Sequence, residues 1–279
     1  MIKACVIGWP ISHSRSPMIH GYWLRQHGID GSYTRQPVEP ETLSSFIGSL
    51  RANGFAGCNV TLPHKEAMFR LVKPADESVK RLQAVNTVYW HENQWNGTNT
   101  DGEGFINSLA AGAPGLHLRG NRVVLLGAGG ASVAIINALL EQGVSEIAVT
   151  NRSIEKAEAL AARFGSAIKP HDWSLRNDVL ADASLVVNTT SLGMTGQPPL
   201  DVDLAKLDAK SVVTDIVYSP MRTSLLRDAA ARGNTVVEGI GMLLHQAVRG
   251  FELWFGVRPV VTDELYRLVA RDIDPDFGR

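Results

Sequence analysis

Short hydrophobic runs alternate with amphipathic stretches along the chain, a pattern typical of alternating strands and helices. In the first hundred residues, Ser16 and Pro17 mark the start of a helix and Gly28 marks its end. The elements predicted here are strands at 4–7, 32–38 and the run ending at Asn59, helices at 16–28 and 42–53, and a hairpin of 84–90 with 94–98. Together they predict an α/β domain.

A second pattern begins at Asn121, after a segment rich in Gly and Pro at 110–120. It repeats strand–helix units, with strands predicted at 122–126, 146–150, 184–188, 211–216 and 235–237, and helices at 131–142, 154–164 and 223–232. Units of this length predict a doubly wound parallel sheet. The C-terminal residues are mainly helical, with Trp254 and Phe255 as packing anchors, and we expect a long final helix to return to the first domain.

The composition argues against several classes of protein. The chain has 279 residues, 44% of them hydrophobic, and a net charge of −1 without a long basic run, which argues against nucleic-acid binding. Its longest apolar stretch, 123–140, is interrupted by glycines, and the N-terminal apolar run is too short for a signal peptide, so we expect no membrane segment. Cys5 and Cys58 lie in apolar runs and predict reduced thiols and a cytoplasmic location.

One predicted strand–helix junction combines an amide, a hydroxyl and a lysine. Asn59 and Thr61 are two residues apart and share one face of the strand, while Pro63 suits the first helical position. Lys65 then lies in the first turn, where the helix dipole disfavours its positive charge. This arrangement suits acid–base chemistry on a polyhydroxylated substrate, although an ordinary junction with a solvated lysine has the same pattern.

Further polar residues lie near predicted element ends. Ser14 and Ser16 place two hydroxyls before a helix, which suits a carboxylate, although Ser16 alone is equally well explained as a helix cap. Asn86 lies mid-strand, where an amide is unfavoured, and either a structural hydrogen bond or a ligand explains it. Asp101 precedes a helix, so helix capping is its alternative role.

A glycine-rich turn follows the first strand of the second pattern and opens a helix, as in Rossmann-like dinucleotide-binding domains. We expect it to receive a pyrophosphate at Gly127, Ala128, Gly129, Gly130 and Ala131. Ser132 replaces the third glycine of the motif.

The end of the next strand indicates which dinucleotide is bound. An acidic residue there would bind the ribose of NAD, but this chain has Asn151, Arg152 and Ser153, with Lys156 one turn further. Two cations and two small polar groups suit a 2′-phosphate, so we expect NADP. Helix capping by Asn151 or Ser153 is compatible with that role.

Taken together, these runs resemble the shikimate dehydrogenase family, in family order and over nearly the whole chain. The matching segments are 10–17, 59–65, 84–87, 99–102, 127–131, 151–153, 188–194, 215–218 and 241–246. The resemblance implies a substrate-binding and catalytic domain at 1–101, an NADP-binding Rossmann domain at 102–237, and a C-terminal helical segment at 238–279 that packs back on the first domain. A small-molecule substrate and a monomer or homodimer are expected.

The resemblance implies reversible, NADPH-dependent reduction of 3-dehydroshikimate to shikimate in the chorismate route to aromatic amino acids. Lys65 and Asp101 would be the catalytic pair. The residues implied to bind or shape the substrate pocket are Ser14, Ser16, Asn59, Thr61, Asn86, Tyr218 and Gln246. Those implied to bind the cofactor are Gly127, Ala128, Gly129, Gly130, Ala131, Asn151, Arg152, Ser153, Lys156, Thr190, Met194, Gly239 and Met242.

The chain departs from the family pattern at three positions of the cofactor region. Val133 and Lys156 stand where arginine is common, and Ser153 stands for a common threonine. Lys156 keeps the charge but lacks the bidentate fork, so the strength of the NADP preference is open. His13, His64 and His245 flank the motifs but are not spaced as metal ligands, and we expect no metal.

Three other functions fit the same resemblance. A quinate/shikimate dehydrogenase using NAD is the nearest, and Arg152 together with the serines Ser14 and Ser16 argues against it. An aminoshikimate dehydrogenase is also compatible with the sequence. A ligand sensor without activity on the same fold is disfavoured because Lys65 and Asp101 are both present.

Overall fold

The structure, a computed structural model, describes residues 1–278 and divides into two compact units. The first unit comprises Met1–Asp101 and Gln246–Val269, and the second comprises Gly102–His245 and the residues from Ala270 onward. Of the C-terminal segment 238–279, which we expected to pack back on the first domain, Gln246–Val269 belongs to the first unit.

The first unit is built on a six-stranded mixed sheet. Its strands are β1 (Ile2–Gly8), β2 (Gly31–Pro37), β3 (Phe55–Val60), β4 (Lys73–Pro74), β5 (Thr87–His91) and β6 (Gln94–Thr98), in the order β2-β1-β3-β5-β6-β4. β1 pairs in parallel with β2 and β3, whereas β5 is antiparallel to β3 and β6. The predicted hairpin is confirmed as β5 and β6, but β5 begins at Thr87, so Asn86 precedes the strand and does not lie within it as expected. Because β5 runs against β3, the start of β5 lies beside the carboxyl end of β3.

Four helices lie between these strands: α1 (Ser16–Gln26), α2 (Leu43–Leu50), α3 (Lys65–Phe69) and α4 (Glu77–Leu82). The short α4 and β4 have no counterpart among the predicted elements. Trp23 on α1 is fully buried, with its ring 5.5 Å from that of Phe251. Trp254 is also buried and donates from Nε1 to the carbonyl of Val88, 2.9 Å away, so the expected packing role of Trp254 is confirmed.

The second unit contains a six-stranded sheet in which every pairing is parallel. Its strands are β7 (Arg122–Leu126), β8 (Glu146–Asn151), β9 (Ile168–Asp172), β10 (Leu185–Asn188), β11 (Val212–Asp215) and β12 (Thr235–Val237), in the order β12-β11-β10-β7-β8-β9. The helices are α5 (Asp101–Gly112), α6 (Gly130–Glu141), α7 (Ile154–Phe164) and α8 (Ser224–Ala231). The predicted doubly wound parallel sheet is confirmed.

Two further features differ from the sequence prediction. β9 was not predicted because it contains Pro170 and only Ile168 in it is buried, as suits an edge strand. The C-terminal region forms two helices, α9 (Ile240–Phe255) and α10 (Asp263–Ile273), rather than one long helix. Within residues 1–278, no helix is both long and apolar enough to cross a membrane.

Candidate active site

The strand–helix junction after β3 brings Lys65 to Asp101. Thr61 follows the strand and donates from its backbone N–H to the carbonyl of Ile7, 3.0 Å away. The helix α3 begins at Lys65 and not at Pro63, because residues 61–64 form a turn closed by a bond from the His64 N–H to the Thr61 carbonyl. Lys65 Nζ lies 2.5 Å from Asp101 Oδ2, and the two side chains are 28% and 14% exposed. The pair is therefore partly desolvated yet open to solvent.

Asn86 holds the other oxygen of this aspartate. Its Nδ2 donates to Asp101 Oδ1 at 2.8 Å and to Thr100 Oγ1 at 3.0 Å. Its Oδ1 accepts from the Thr100 N–H and the Thr87 hydroxyl, both at 2.9 Å. Asn86 is 2% exposed, so the amide is buried with two donors and two acceptors engaged. The structural reading of Asn86 is thus supported by geometry.

Asn59 continues this network into the core of the first unit. Its Oδ1 accepts from the Tyr33 hydroxyl at 2.6 Å, and its Nδ2 donates to Thr87 Oγ1 at 3.0 Å and to the Asn86 carbonyl at 3.2 Å. Burial raises the pKa of Tyr33 well above its usual value, so the phenol keeps its proton and donates it. Hydrogen bonds run continuously from Tyr33 through Asn59, Thr87 and Asn86 to the Lys65–Asp101 pair.

Sequence reasoning missed Tyr33, Thr87 and Thr100, which complete this network. Thr87 directly follows Asn86 and is fully buried. The sequence signal that could have identified it is a hydroxyl residue within an otherwise apolar strand. Thr100 also donates from its hydroxyl to the backbone carbonyl of Gln246 at 2.8 Å, which ties that predicted site residue to the network.

The predicted pair of serines lies at the start of α1. Ser16 is the first residue of the helix and is largely buried, with its N–H donating to Ser14 Oγ at 3.3 Å and its own Oγ accepting from Ser14 Oγ at 3.2 Å. The N-cap residue is Arg15, so Ser16 is not the cap that one reading of the sequence predicted. Arg35 fixes the loop by donating to the Ser14 carbonyl at 2.6 and 2.9 Å.

In the second unit, the glycine-rich turn leads from β7 into α6 as predicted. Gly127 has φ +110°, and a Cβ there would lie 2.7 Å from Thr190 Cγ2, so glycine is required. A Cβ on Gly129 or Gly130 would meet nothing within 4 Å, so their backbone faces open space at the N-terminus of α6. Ser132 replaces the third glycine, and its Oγ donates to the Gly129 carbonyl at 2.5 Å. A phosphate can therefore approach this backbone closely.

The basic turn after β8 is tied to the glycine-rich turn. Asn151 accepts from the Ala128 N–H at 3.1 Å and donates to the Ser153 carbonyl at 2.8 Å. Arg152 and Lys156 are exposed. Ser153 is the N-cap residue of α7, but its side chain makes no capping bond there and instead donates to Glu155 Oε2 at 2.7 Å. Asn151 thus links the two turns, and the two cations are accessible.

A buried polar network joins the loops that follow β10 and β11. Asn188 Oδ1 accepts from the Thr190 N–H at 3.0 Å and hydroxyl at 2.7 Å, and Asn188 Nδ2 donates to Asp215 Oδ1 at 2.9 Å. Asp215 also accepts from the Val217 N–H at 2.9 Å and the Thr223 hydroxyl at 2.7 Å. Burial raises the pKa of Asp215 to about 6. Sequence reasoning did not single out Asn188 or Asp215.

The remaining predicted cofactor residues also lie in the second unit. Met194 is exposed, and Met242 on α9 packs against the core of the unit. A Cβ on Gly239 would lie 2.7 Å from the Asp215 carbonyl, so this position is closed to larger residues. Tyr218, predicted on the substrate side, follows Val217 in the loop after β11. Residues 1–278 contain no group of three or more His, Cys, Asp or Glu side chains able to hold a metal ion.

Comparison with known proteins assigns the family. Three family models match the chain: the shikimate dehydrogenase substrate binding domain at residues 6–88, shikimate/quinate 5-dehydrogenase at 108–195, and the shikimate 5′-dehydrogenase C-terminal domain at 239–261. A curated relative from Nitrobacter hamburgensis, shikimate dehydrogenase (NADP(+)), is 53% identical over 97% of this chain and 94% of its own length. The chain belongs to the shikimate dehydrogenase family.

Solved structures of related dehydrogenases have the same fold. Quinate dehydrogenase from Corynebacterium glutamicum in complex with NAD has a TM-score of 0.89 and 31% identity, covering 96% of this chain and 99% of its own. A shikimate dehydrogenase from Thermus thermophilus in complex with NADP(H) and shikimate has a TM-score of 0.84 and 34% identity, covering 98% and 100%. Because these two neighbours differ in their bound cofactor, the cofactor of a shikimate dehydrogenase family member must be argued from its own residues.

Proposed function

We propose that this chain catalyses the reversible, NADPH-dependent reduction of 3-dehydroshikimate to shikimate. The observation that carries the proposal is the Lys65–Asp101 pair, held 2.5 Å apart beside the polar end of β3. Family membership and the 53% identity to a curated shikimate dehydrogenase (NADP(+)) support the same reaction.

Reduction of a ring ketone needs a hydride at carbon and a proton at oxygen. NADPH, when bound, supplies the hydride. Lys65 delivers the proton from Nζ to the developing alkoxide, and in the reverse direction it accepts the proton of the ring hydroxyl. Asp101 orients the lysine through Oδ2, while Asn86 fixes the carboxylate by donating to Oδ1. These two contacts hold the amino group of Lys65 in one geometry.

The polar residues around this pair suit the functional groups of shikimate. We assign the substrate carboxylate to the hydroxyls of Ser14 and Ser16, and ring hydroxyls to Thr61 and Gln246. Tyr218 is assigned to the substrate side of the second unit. Asn59 and Asn86 hydrogen-bond to other protein groups, which supports a positioning role for these two amides rather than direct contact with the substrate.

The second unit suits a phosphorylated dinucleotide. The open backbone at Gly129 and Gly130 fits a pyrophosphate at the N-terminus of α6. Arg152 and Lys156 fit a 2′-phosphate, which supports NADP. Thr190, held by Asn188, together with Met194, Gly239 and Met242, is assigned to the nicotinamide side.

A cytoplasmic location is part of this proposal. Cys5 and Cys58 are free, buried thiols that face each other across β1 and β3, as expected in a reducing compartment. The proposed reaction is compatible with a monomer or a homodimer.

The test is an initial-rate measurement at the nicotinamide absorbance band, with shikimate or quinate as the alcohol and NADP or NAD as the oxidant. We expect turnover mainly with shikimate and NADP. Turnover mainly with quinate or NAD would instead assign the chain to the quinate-oxidising relatives. A folded protein that binds NADP but turns over none of these pairs would contradict the proposal and favour a ligand sensor.

A further inference from the structure

A carboxylate lies within the basic turn that follows β8. Arg152 and Lys156 are the two cations of this turn, and Glu155 lies between them in the chain, at the second position of α7. Glu155 Oε2 accepts from the Ser153 hydroxyl at 2.7 Å. The turn therefore carries two positive charges and one negative charge, and its serine hydroxyl already has an acceptor.

Local structure keeps this carboxylate charged and in place. The bond from Ser153, followed by a backbone hydrogen bond, lowers the pKa of Glu155, so it is ionised at neutral pH. The first turn of a helix also favours negative charge because of the helix dipole. The Ser153 side chain makes no capping bond at α7, so its bond to Glu155 is what orients the serine hydroxyl.

We propose that Glu155 is a specificity-determining residue that weakens binding of a 2′-phosphate. The preference of this chain for NADP over NAD is therefore smaller than Arg152 and Lys156 alone would give. The inference rests on the proposed dinucleotide function. A 2′-phosphate carries about two negative charges, which the carboxylate repels, and it competes with Glu155 for the Ser153 proton. The uncharged 2′-hydroxyl of NAD is not repelled and can donate to a carboxylate.

The test compares dissociation constants of the purified wild type and Glu155→Gln for NADP and for NAD, measured by titration calorimetry without substrate. Glutamine keeps the length of the side chain and removes its charge. We expect NADP to bind about three- to tenfold more tightly to the variant, a range set by Coulomb interaction across a few ångströms of screened solvent. NAD should bind as before or more weakly, and the gain for NADP should shrink as salt is raised.

Glu158→Gln is the matched control, because Glu158 is an exposed glutamate one turn further along α7. It removes the same charge from the same helix about one turn further from Ser153, and should therefore shift the ratio of the two dissociation constants less than Glu155→Gln does, because a Coulomb interaction weakens with distance. An equal gain in NADP affinity from Glu158→Gln would mean that net charge, rather than Glu155, is responsible, and would overturn the inference.

Two other outcomes separate this inference from the proposed function. An unchanged ratio in Glu155→Gln, or equal shifts for NADP and NAD, would refute the role of Glu155 even if shikimate is turned over. A shifted ratio in a protein that does not oxidise shikimate would support the role of Glu155 and refute the proposed reaction. A wild-type protein that binds neither dinucleotide would refute both.

Discussion

Asn86 in the first unit and Asn188 in the second each donate from Nδ2 to a nearby aspartate, at 2.8 and 2.9 Å. The aspartates differ in what else they contact. Asp101 pairs with Lys65 and is partly exposed, whereas Asp215 is fully buried and accepts its further hydrogen bonds from the Val217 N–H and the Thr223 hydroxyl.

This difference decides how each carboxylate behaves. A cation beside a partly solvated carboxylate stabilises its charge and provides a proton donor that a ligand can reach. A carboxylate surrounded by neutral donors in the core loses more hydration than those donors return, which is why the pKa of Asp215 is raised to about 6. The network around Asn86 and Asp101, the first network, is suited to proton transfer. The network around Asn188 and Asp215, the second network, is suited to holding loops together.

The largest expected effect comes from removing the cation of the first network. Lys65→Ala should lower kcat about 10²- to 10⁴-fold with little change in KM, because the proton-transfer group is lost while the substrate contacts remain. Steady-state kinetics with shikimate and NADP would measure this.

Arginine at the same position separates proton transfer from charge. Lys65→Arg keeps a cation beside Asp101 but cannot release a proton at neutral pH, so it should be nearly as slow as the alanine variant. Lys80→Ala, which removes an exposed lysine paired with Glu77, should leave kcat unchanged. A large rise in KM with kcat retained in Lys65→Ala would show that the lysine binds substrate only.

The contribution of the second network to the free energy of unfolding should depend on pH. The folded state holds the Asp215 proton more tightly than the unfolded state, because burial raises its pKa from an ordinary 3.8 to about 6. The corresponding stability is complete below about pH 4 and is lost as the pH rises through about 6, at a cost of about 3 kcal/mol. Asp215→Asn has no such proton, so its free energy of unfolding relative to wild type should rise by about that amount between those pH values.

Urea unfolding of both proteins at several pH values would measure this difference. Thr214→Val is the control. Thr214 lies on β11 next to Asp215, and the substitution removes its buried hydrogen bond to the Val237 carbonyl without removing a titrating group. Its free energy of unfolding should differ from wild type by a constant amount at every pH. A constant offset for Asp215→Asn as well would contradict the raised pKa.

Much of the second unit follows from sequence because its inner strands are continuous hydrophobic runs, such as Val123 to Leu126, which are fully buried. The edge strand β9, with Pro170, lacks that signal. In the site, the strand–helix junction that carries Lys65 could be located from local patterns, although α3 begins two residues later than Pro63. The hydrogen-bond partners of the site residues could not, because a bond such as that from Tyr33 to Asn59 depends on which strands become neighbours in the sheet.

Thr87 tests whether the first network acts as a unit. Thr87→Val should lower the free energy of unfolding by about 1–3 kcal/mol, because Asn59 Nδ2 and Asn86 Oδ1 each lose a buried partner. It should also lower kcat, since Asn86 positions Asp101. Thr87→Ser restores the hydroxyl and should recover most of both quantities.

A control in the second unit distinguishes positioning from general destabilisation. Ser211→Ala removes a buried bond from the serine hydroxyl to the Ala183 carbonyl, 2.6 Å long, and should lower stability without lowering kcat. If Thr87→Val and Ser211→Ala lose stability alike and both retain full kcat, the hydroxyl of Thr87 has a structural role only.

The smallest effect is expected at Thr150 on β8, which is as fully buried as Thr87. Its hydroxyl has no hydrogen-bond partner in the part of the chain that the structure describes, whereas the Thr87 hydroxyl has two. Thr150→Val removes an unpaired buried hydroxyl at nearly constant volume and suits a strand, so thermal unfolding should show a protein as stable as wild type or up to about 1 kcal/mol more stable. Thr214→Val should be destabilised under the same conditions. A loss at Thr150 as large as that at Thr214 would mean that burial alone, and not hydrogen bonding, sets the contribution of these hydroxyls.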